Sequence, residues 1–214
     1  MPHADSLALP EGLSKAEFYS HVCATLEALL TPGSPDDPAA NWITCFSNAA
    51  SLLYGSFENR EEDFGRQDGR RVNWAGFYIT PSLLSASSRS TAAEPTQLLL
   101  GPFHGRPACL SVSLQSTPSR PVGVCAAAFL SGETVVVPNV DERPGHIACD
   151  GVTKSEIVVP VIVRVKRADG KEEDVKIGVL DVDCEAVDAF GVEEDRKGLE
   201  EFVEVLKKVV RWEL

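Results

Sequence analysis

The chain has 214 residues, of which 43% are hydrophobic and 24% charged, with a formal net charge of −12. That length is enough for one domain with a real core, and the acidity disfavours phosphate backbones and anionic lipid as partners. No apolar run approaches the roughly 20 residues of a membrane helix, and "MPHADSLALPEG" lacks the basic head and apolar core of a secretory signal, so a cytoplasmic, reducing setting is expected.

Residues 13–30 open with Ser14 and Glu17, spaced as a capping box, and continue with apolar residues at helical spacing. "TPGSPDDP" breaks the chain, and a second helix is predicted over about 39–54. The polar stretch 55–71 reads as loop. "RVNWAGFYI" is an aromatic-rich strand ended by Pro81, followed by a Ser/Ala-rich segment over 81–97 that reads as a hairpin insertion. "QLLLGPF" is a strand ending in a Gly-Pro turn, and "ACLSVSL" alternates as another. "VCAAAFLSG" is a short helix, "TVVVPNV" a strand, "RPGHIACD" an irregular segment, and "EIVVPVIVRV" and "EDVKIGVLDVDC" two longer strands. The chain closes on an amphipathic helix over about 192–212, acidic at its start and basic at its end, as the helix dipole favours. Helices at both ends around strands joined by short turns give an α+β fold, one domain over 1–214 with a central, mostly antiparallel sheet.

Six cysteines and four histidines carry the remaining chemistry. Cys23 and Cys45 lie among apolar residues on helical patterns, where a free thiol acts as a small core hydrophobe. No C-x-x-C pair occurs and the histidines are scattered, so no metal site is expected. Cys109, Cys125, Cys149 and Cys184 remain. "GHIACDGVTKSEIVVPV" sets His146, Cys149 and Asp150 ahead of Glu156, itself at the mouth of an apolar strand where a carboxylate is poorly solvated. Cys125 follows Gly123 at a helix start, which lowers a thiol pKa and also suits an anion. Asp181 and Asp183 alternate on one strand face, so they share a pocket if that face is covered, and crowding with Glu156 raises at least one pKa. A surface strand end or a divalent-metal site would use the same D-x-D spacing. Trp74 and Tyr78, four apart on a strand, share a face as core or as pocket wall.

"VNWAGFY", "LGPFHGRPAC", "GVC", "GHIACD", "SEIVVPV" and "GVLDVD" occur in that order. In them the chain resembles the free methionine-(R)-sulfoxide reductases, stand-alone GAF domains, from about residue 72 to the final helix. The resemblance implies a GAF-like domain that reduces the free amino acid sulfoxide with cysteines alone, without metal or flavin, is reset by thioredoxin, and often forms a homodimer. It points to Cys149 as nucleophile, Cys109 as resolving thiol and Cys125 as the third motif cysteine; on the residues alone, Cys125 remains a rival for the first role. It gives Glu156 and Asp183 to protonation of the sulfoxide oxygen, and Trp74 and Tyr78 to the pocket wall. Asp181 is the candidate for the substrate ammonium, and His146 and Asp150 flank Cys149 as candidates to tune its thiol, neither being counted among the catalytic residues. Cys184 stays outside the motif set as a packing thiol. Cys109 and Cys125 are 16 positions apart, more than in shorter bacterial members, so an insertion over 115–121 separates them. Two other readings share the fold: a non-enzymatic small-molecule sensor and a thiol-based oxidant sensor.

Overall fold

The computed structural model describes residues 7–212 apart from 33, 35–36, 38–39, 66–68, 85–93, 118–120, 144–150 and 167–169. Its strands are β1 (Val72–Ile79), β2 (Gln97–Gly105), β3 (Ser111–Ser113), β4 (Val135–Val137), β5 (Ser155–Lys166) and β6 (Glu172–Cys184). They form one sheet in the order β3-β2-β1-β6-β5-β4, with every neighbouring pair antiparallel. The helices are α1 (Lys15–Leu30), α2 (Trp42–Glu58), α3 (Glu61–Phe64), α4 (Val124–Ser131) and α5 (Glu194–Val209). The α+β expectation holds.

Strand alternation decides which core each residue joins. Ala75, Phe77, Ile157, Val159, Leu180 and Val182 point to the face covered by α1, α2 and α5. Trp74, Tyr78, Val158 and Val179 point the other way, against Cys125 and Phe129 of α4. The sheet therefore separates a large helical core from a smaller one, and the functional face lies on the smaller side.

Local signals in the sequence explain most boundaries. Ser14 caps α1 through a reciprocal box with Glu17. Asn41 caps α2, its side chain accepting from the Thr44 N–H at 3.0 Å. Gly123 precedes α4, and Gly132 ends it in the left-handed conformation, φ 75°, that a residue with a Cβ resists.

Three boundaries differ from the sequence-based expectation. Helix α2 runs on to Glu58, and α3 follows within the predicted loop. Gly55 lies against Leu7, whose Cδ2 would be 2.8 Å from any added Cβ, while Ser56 and Phe57 are buried. Packing thus overrides the local turn signal. Strand β2 continues through Gly101-Pro102 instead of turning there. The register against β1 slips between Gly76 and Tyr78, and this bulge accommodates a residue with no N–H to donate. Strand β3 keeps only three residues, leaving Cys109 in the loop before it. Pro160, by contrast, stays inside β5. Strand β4 begins opposite Val158, so its ladder with β5 does not reach the proline.

Candidate active site

Strands β5 and β6 place the acids by register. Glu156 lies directly opposite Asp183, and Asp181 opposite Val158, so the three carboxylates sit on one face of two paired strands. Asp183 is in turn opposite Trp74 on β1, and Asp181 opposite Gly76. A cavity of about 440 Å³ opens on this face, lined by Glu156, Asp181 and Asp183, by Tyr78, and by the thiol-bearing residues Cys109 and Cys125. The expectation that both aspartates of "DVD" face a single pocket is met.

Burial sets the electrostatics. Glu156 is 4% exposed and Asp181 5%. Desolvation, then the neighbouring Asp181 charge, pushes the Glu156 pKa well above the usual carboxylate range, with Arg143 opposing weakly. Desolvation also raises Asp181 to about 7, against the lowering effect of the Cys125 thiol, whose hydrogen bond it accepts, and of the nearby Val182 N–H. One proton is thus readily held between these acids, and the pair titrates as a unit.

Cys125 follows the first residue of α4, as the sequence suggested, yet its thiol behaves oppositely to expectation. It donates to Asp181 Oδ2 at 3.2 Å. Burial first, then the Asp181 and Glu156 charges, pushes its pKa well above the ordinary thiol value. The helix start is outweighed because the thiol faces carboxylates in a dry site. Cys109 is half-buried at the cavity, and its backbone carbonyl accepts from the Tyr78 hydroxyl at 3.0 Å. The Leu110 carbonyl accepts from the Leu100 N–H at 3.0 Å, so the loop that carries Cys109 is tied to β1 and β2.

Tyr78 lines the cavity, whereas Trp74 lies behind it, stacked on Tyr78 (centroids 5.8 Å apart) and on Phe103 (5.5 Å). Gly76 leaves the space that this indole occupies, since Trp74 Cη2 would be 2.7 Å from a Cβ there. The indole Nε1 has no partner among the described residues.

Two residues escaped the sequence reading. Thr153 lines the cavity and accepts from the buried Asn73 amide at 2.9 Å. A buried asparagine inside an apolar strand, beside Trp74, was the available signal. The other thiols are inert by position. Burial pushes Cys23 up to about 12 and Cys45 to about 11, and Cys184 turns to the helical core, donating to the Arg70 carbonyl at 3.2 Å. Cys149, His146 and Asp150 lie outside the described residues, as do 118–120 and most of the 81–97 insertion.

No protein-family model matches the chain. It is 35% identical over 206 residues to the free methionine-R-sulfoxide reductase of Saccharomyces cerevisiae, covering 96% of this chain and 93% of that protein. A solved GAF domain matches with TM-score 0.72 and 34% identity, over 99% of this chain and 98% of that one. The free methionine-R-sulfoxide reductase of Neisseria meningitidis, solved in complex with its substrate, matches with TM-score 0.63 and 33% identity, over 94% of each chain. With this identity over nearly its whole length and a GAF-domain fold beneath it, the chain belongs to the free methionine-R-sulfoxide reductase family.

Proposed function

We propose that this chain is an oxidoreductase that reduces free L-methionine-(R)-sulfoxide to methionine with cysteine thiols and no resident cofactor. The observation that carries the reading is the cavity itself, where buried acids with raised pKa values face two thiol-bearing residues. Sulfoxide reduction needs a soft nucleophile at sulfur and a proton for the departing oxygen.

Cys149 attacks the sulfur as a thiolate. The oxygen passes to it as sulfenic acid while Glu156, supported by Asp183, supplies a proton, and methionine leaves. Cys109 then condenses with the sulfenic acid, forming a disulfide and releasing water. A thioredoxin dithiol exchanges with that disulfide and restores both thiols. Asp181 in its ionised form holds the substrate ammonium, and the N-terminus of α4 suits the substrate carboxylate. Tyr78 closes the pocket with Trp74 behind it. The raised pKa of Cys125, hydrogen-bonded as a donor, supports assigning the nucleophile to Cys149. The chemistry requires reduced thiols, which fits a cytoplasmic protein, and a homodimer is compatible with it.

The test is thioredoxin-coupled NADPH oxidation with separated epimers. The R epimer of the free amino acid is turned over, while the S epimer and a peptide-embedded sulfoxide are not. Comparable rates on any two of the three would refute the proposed specificity, and no turnover of the R epimer would refute the activity.

A further inference from the structure

Cys125 Sγ, one carboxylate oxygen of Glu156 and one of Asp181 all lie within 4.8 Å of one another, and all three residues are buried. Asp181 accepts the Cys125 thiol through Oδ2. Its other oxygen, Oδ1, has no hydrogen-bond partner among the described residues, although the side chain lines the cavity and the residue is 5% exposed. A buried oxygen left without a donor carries its full desolvation cost. It marks a place where a positive group belongs.

We propose that Cys125, Glu156 and Asp181 form a binding site for a thiophilic divalent cation, zinc above all, and that this cation and the amino-acid substrate exclude one another. The second half rests on the sulfoxide-reductase reading of the cavity; the first half does not.

The donor set selects the metal. One sulfur and two carboxylate oxygens suit zinc, whereas calcium and magnesium require six or more oxygens, many of them from water or carbonyls. Zn–S and Zn–O bonds of about 2.3 and 2.0–2.2 Å at tetrahedral angles set ligands roughly 3.3–3.8 Å apart. The trio therefore needs only side-chain adjustment. Its members come from the start of α4, the start of β5 and the end of β6, and the β5–β6 register fixes the two acids relative to each other. Three protein ligands leave a fourth position facing the cavity. Occupancy removes the ammonium partner and the proton donor together, so the metal is a reversible inhibitor and not a cofactor.

Cobalt(II) replaces zinc as a visible probe in a titration of the reduced, metal-free full chain. One equivalent is expected to give the d–d bands of a four-coordinate site with a thiolate-to-cobalt charge-transfer band. That charge-transfer band is lost in Cys125→Ser and kept in the Cys109→Ser/Cys149→Ser double variant. A band that survives Cys125→Ser, or that vanishes in the double variant, overturns the assignment. Should Cys125→Ser fail to fold by circular dichroism, Asp181→Asn and Glu156→Gln carry the test, and cobalt binding undiminished in both overturns it. Free methionine is expected to displace the bound cobalt; a band unchanged at saturating methionine overturns mutual exclusion. A Cys125-dependent band in a protein with no sulfoxide turnover upholds the metal site and refutes the catalytic reading alone.

Discussion

Glu156 and Asp181 share a cavity wall where neither holds a charge cheaply, and their stability effects follow from that. Asp181 ionises near 3.8 when solvated and at about 7 in the folded chain. The folded state therefore favours the protonated form, and the resulting stability is complete below 3.8 and lost as pH rises to about 7. One pKa unit corresponds to about 1.4 kcal/mol, so Asp181→Asn, which cannot ionise, is expected to gain ~1–3 kcal/mol above the folded pKa. Urea unfolding of both proteins measures this, and equal stability would show the acid to be better solvated than its burial implies. The same substitution is expected to weaken substrate binding, as the proposed ammonium contact requires. Glu156→Gln keeps a hydrogen-bond donor but cannot transfer a proton, so the chemical step is expected to slow by about 10²–10⁴-fold while binding persists. Single-turnover methionine formation across a substrate titration separates the two effects; an unchanged maximal rate in Glu156→Gln assigns the proton elsewhere. The thiols divide by the same measurement. Cys149→Ser is expected to abolish even one turnover without reductant, and Cys109→Ser to keep that turnover but lose thioredoxin-driven cycling. Loss of single-turnover product in Cys125→Ser alone would transfer the nucleophile to that residue.

Single elements hold the site through interactions remote from it. The capping box of α1 is reciprocal: Ser14 N–H donates to Glu17 Oε2 at 2.9 Å, and Glu17 N–H to Ser14 Oγ at 3.3 Å. The Ser14 hydroxyl also donates to Glu17 Oε2, at 2.7 Å, and this bond comes first in lowering the Glu17 pKa below 4.5. A depressed carboxylate stabilises the fold above its unfolded pKa and ceases to as pH falls through its folded pKa. Ser14→Ala is expected to cost about 1 kcal/mol at neutral pH, and less once acid has protonated Glu17. Thermal unfolding at neutral and acidic pH checks both; a pH-independent cost would place the effect outside the box. The paired strands β5 and β6 form the corresponding rigid element of the sheet, carrying Glu156, Asp181 and Asp183 by register alone.

Across the whole molecule, the first and last helices close on each other through Asp195. Its carboxylate pairs with Lys15 Nζ at 2.7 Å and accepts from the Tyr19 hydroxyl at 2.7 Å and the Gly191 N–H at 2.6 Å. Tyr19 is buried and its pKa well raised, so its hydroxyl remains a donor. Asp195→Ala leaves these donors unmatched and is expected to cost ~2–4 kcal/mol, below the fully buried limit because Lys15 is partly solvated. The midpoint of thermal unfolding should fall while the rate on methionine-(R)-sulfoxide at low temperature stays near wild type. A variant that is fully stable would assign the contact to the surface. Among the described residues, no helix is long and apolar enough to cross a membrane.

By itself the sequence determined what short-range chemistry can write. Ser14 with Glu17, Asn41 and the Gly123–Gly132 pair set helix ends through hydrogen bonds within a few residues. The alternation of "GVLDVD" put two aspartates on one face because the strand period is two. The ordered motifs also make the family and its α+β fold legible in the sequence. Tertiary structure decided the rest. Gly55 sits inside α2 and Pro102 inside β2 because Leu7 packing and a slipped β1 register outweigh local turn preferences. The pairing of Glu156 with Asp183 joins residues 27 positions apart (183 minus 156) across the β5–β6 hairpin, in a register that slips between Val161 and Ile162 and that no periodicity specifies. Cys125 shows the division most clearly. Its place at a helix start was readable from the sequence, but its protonation depends on Asp181 and Glu156, brought to it by β6 and β5. The helix dipole is local, whereas burial beside two carboxylates is a property of the folded chain, and burial wins.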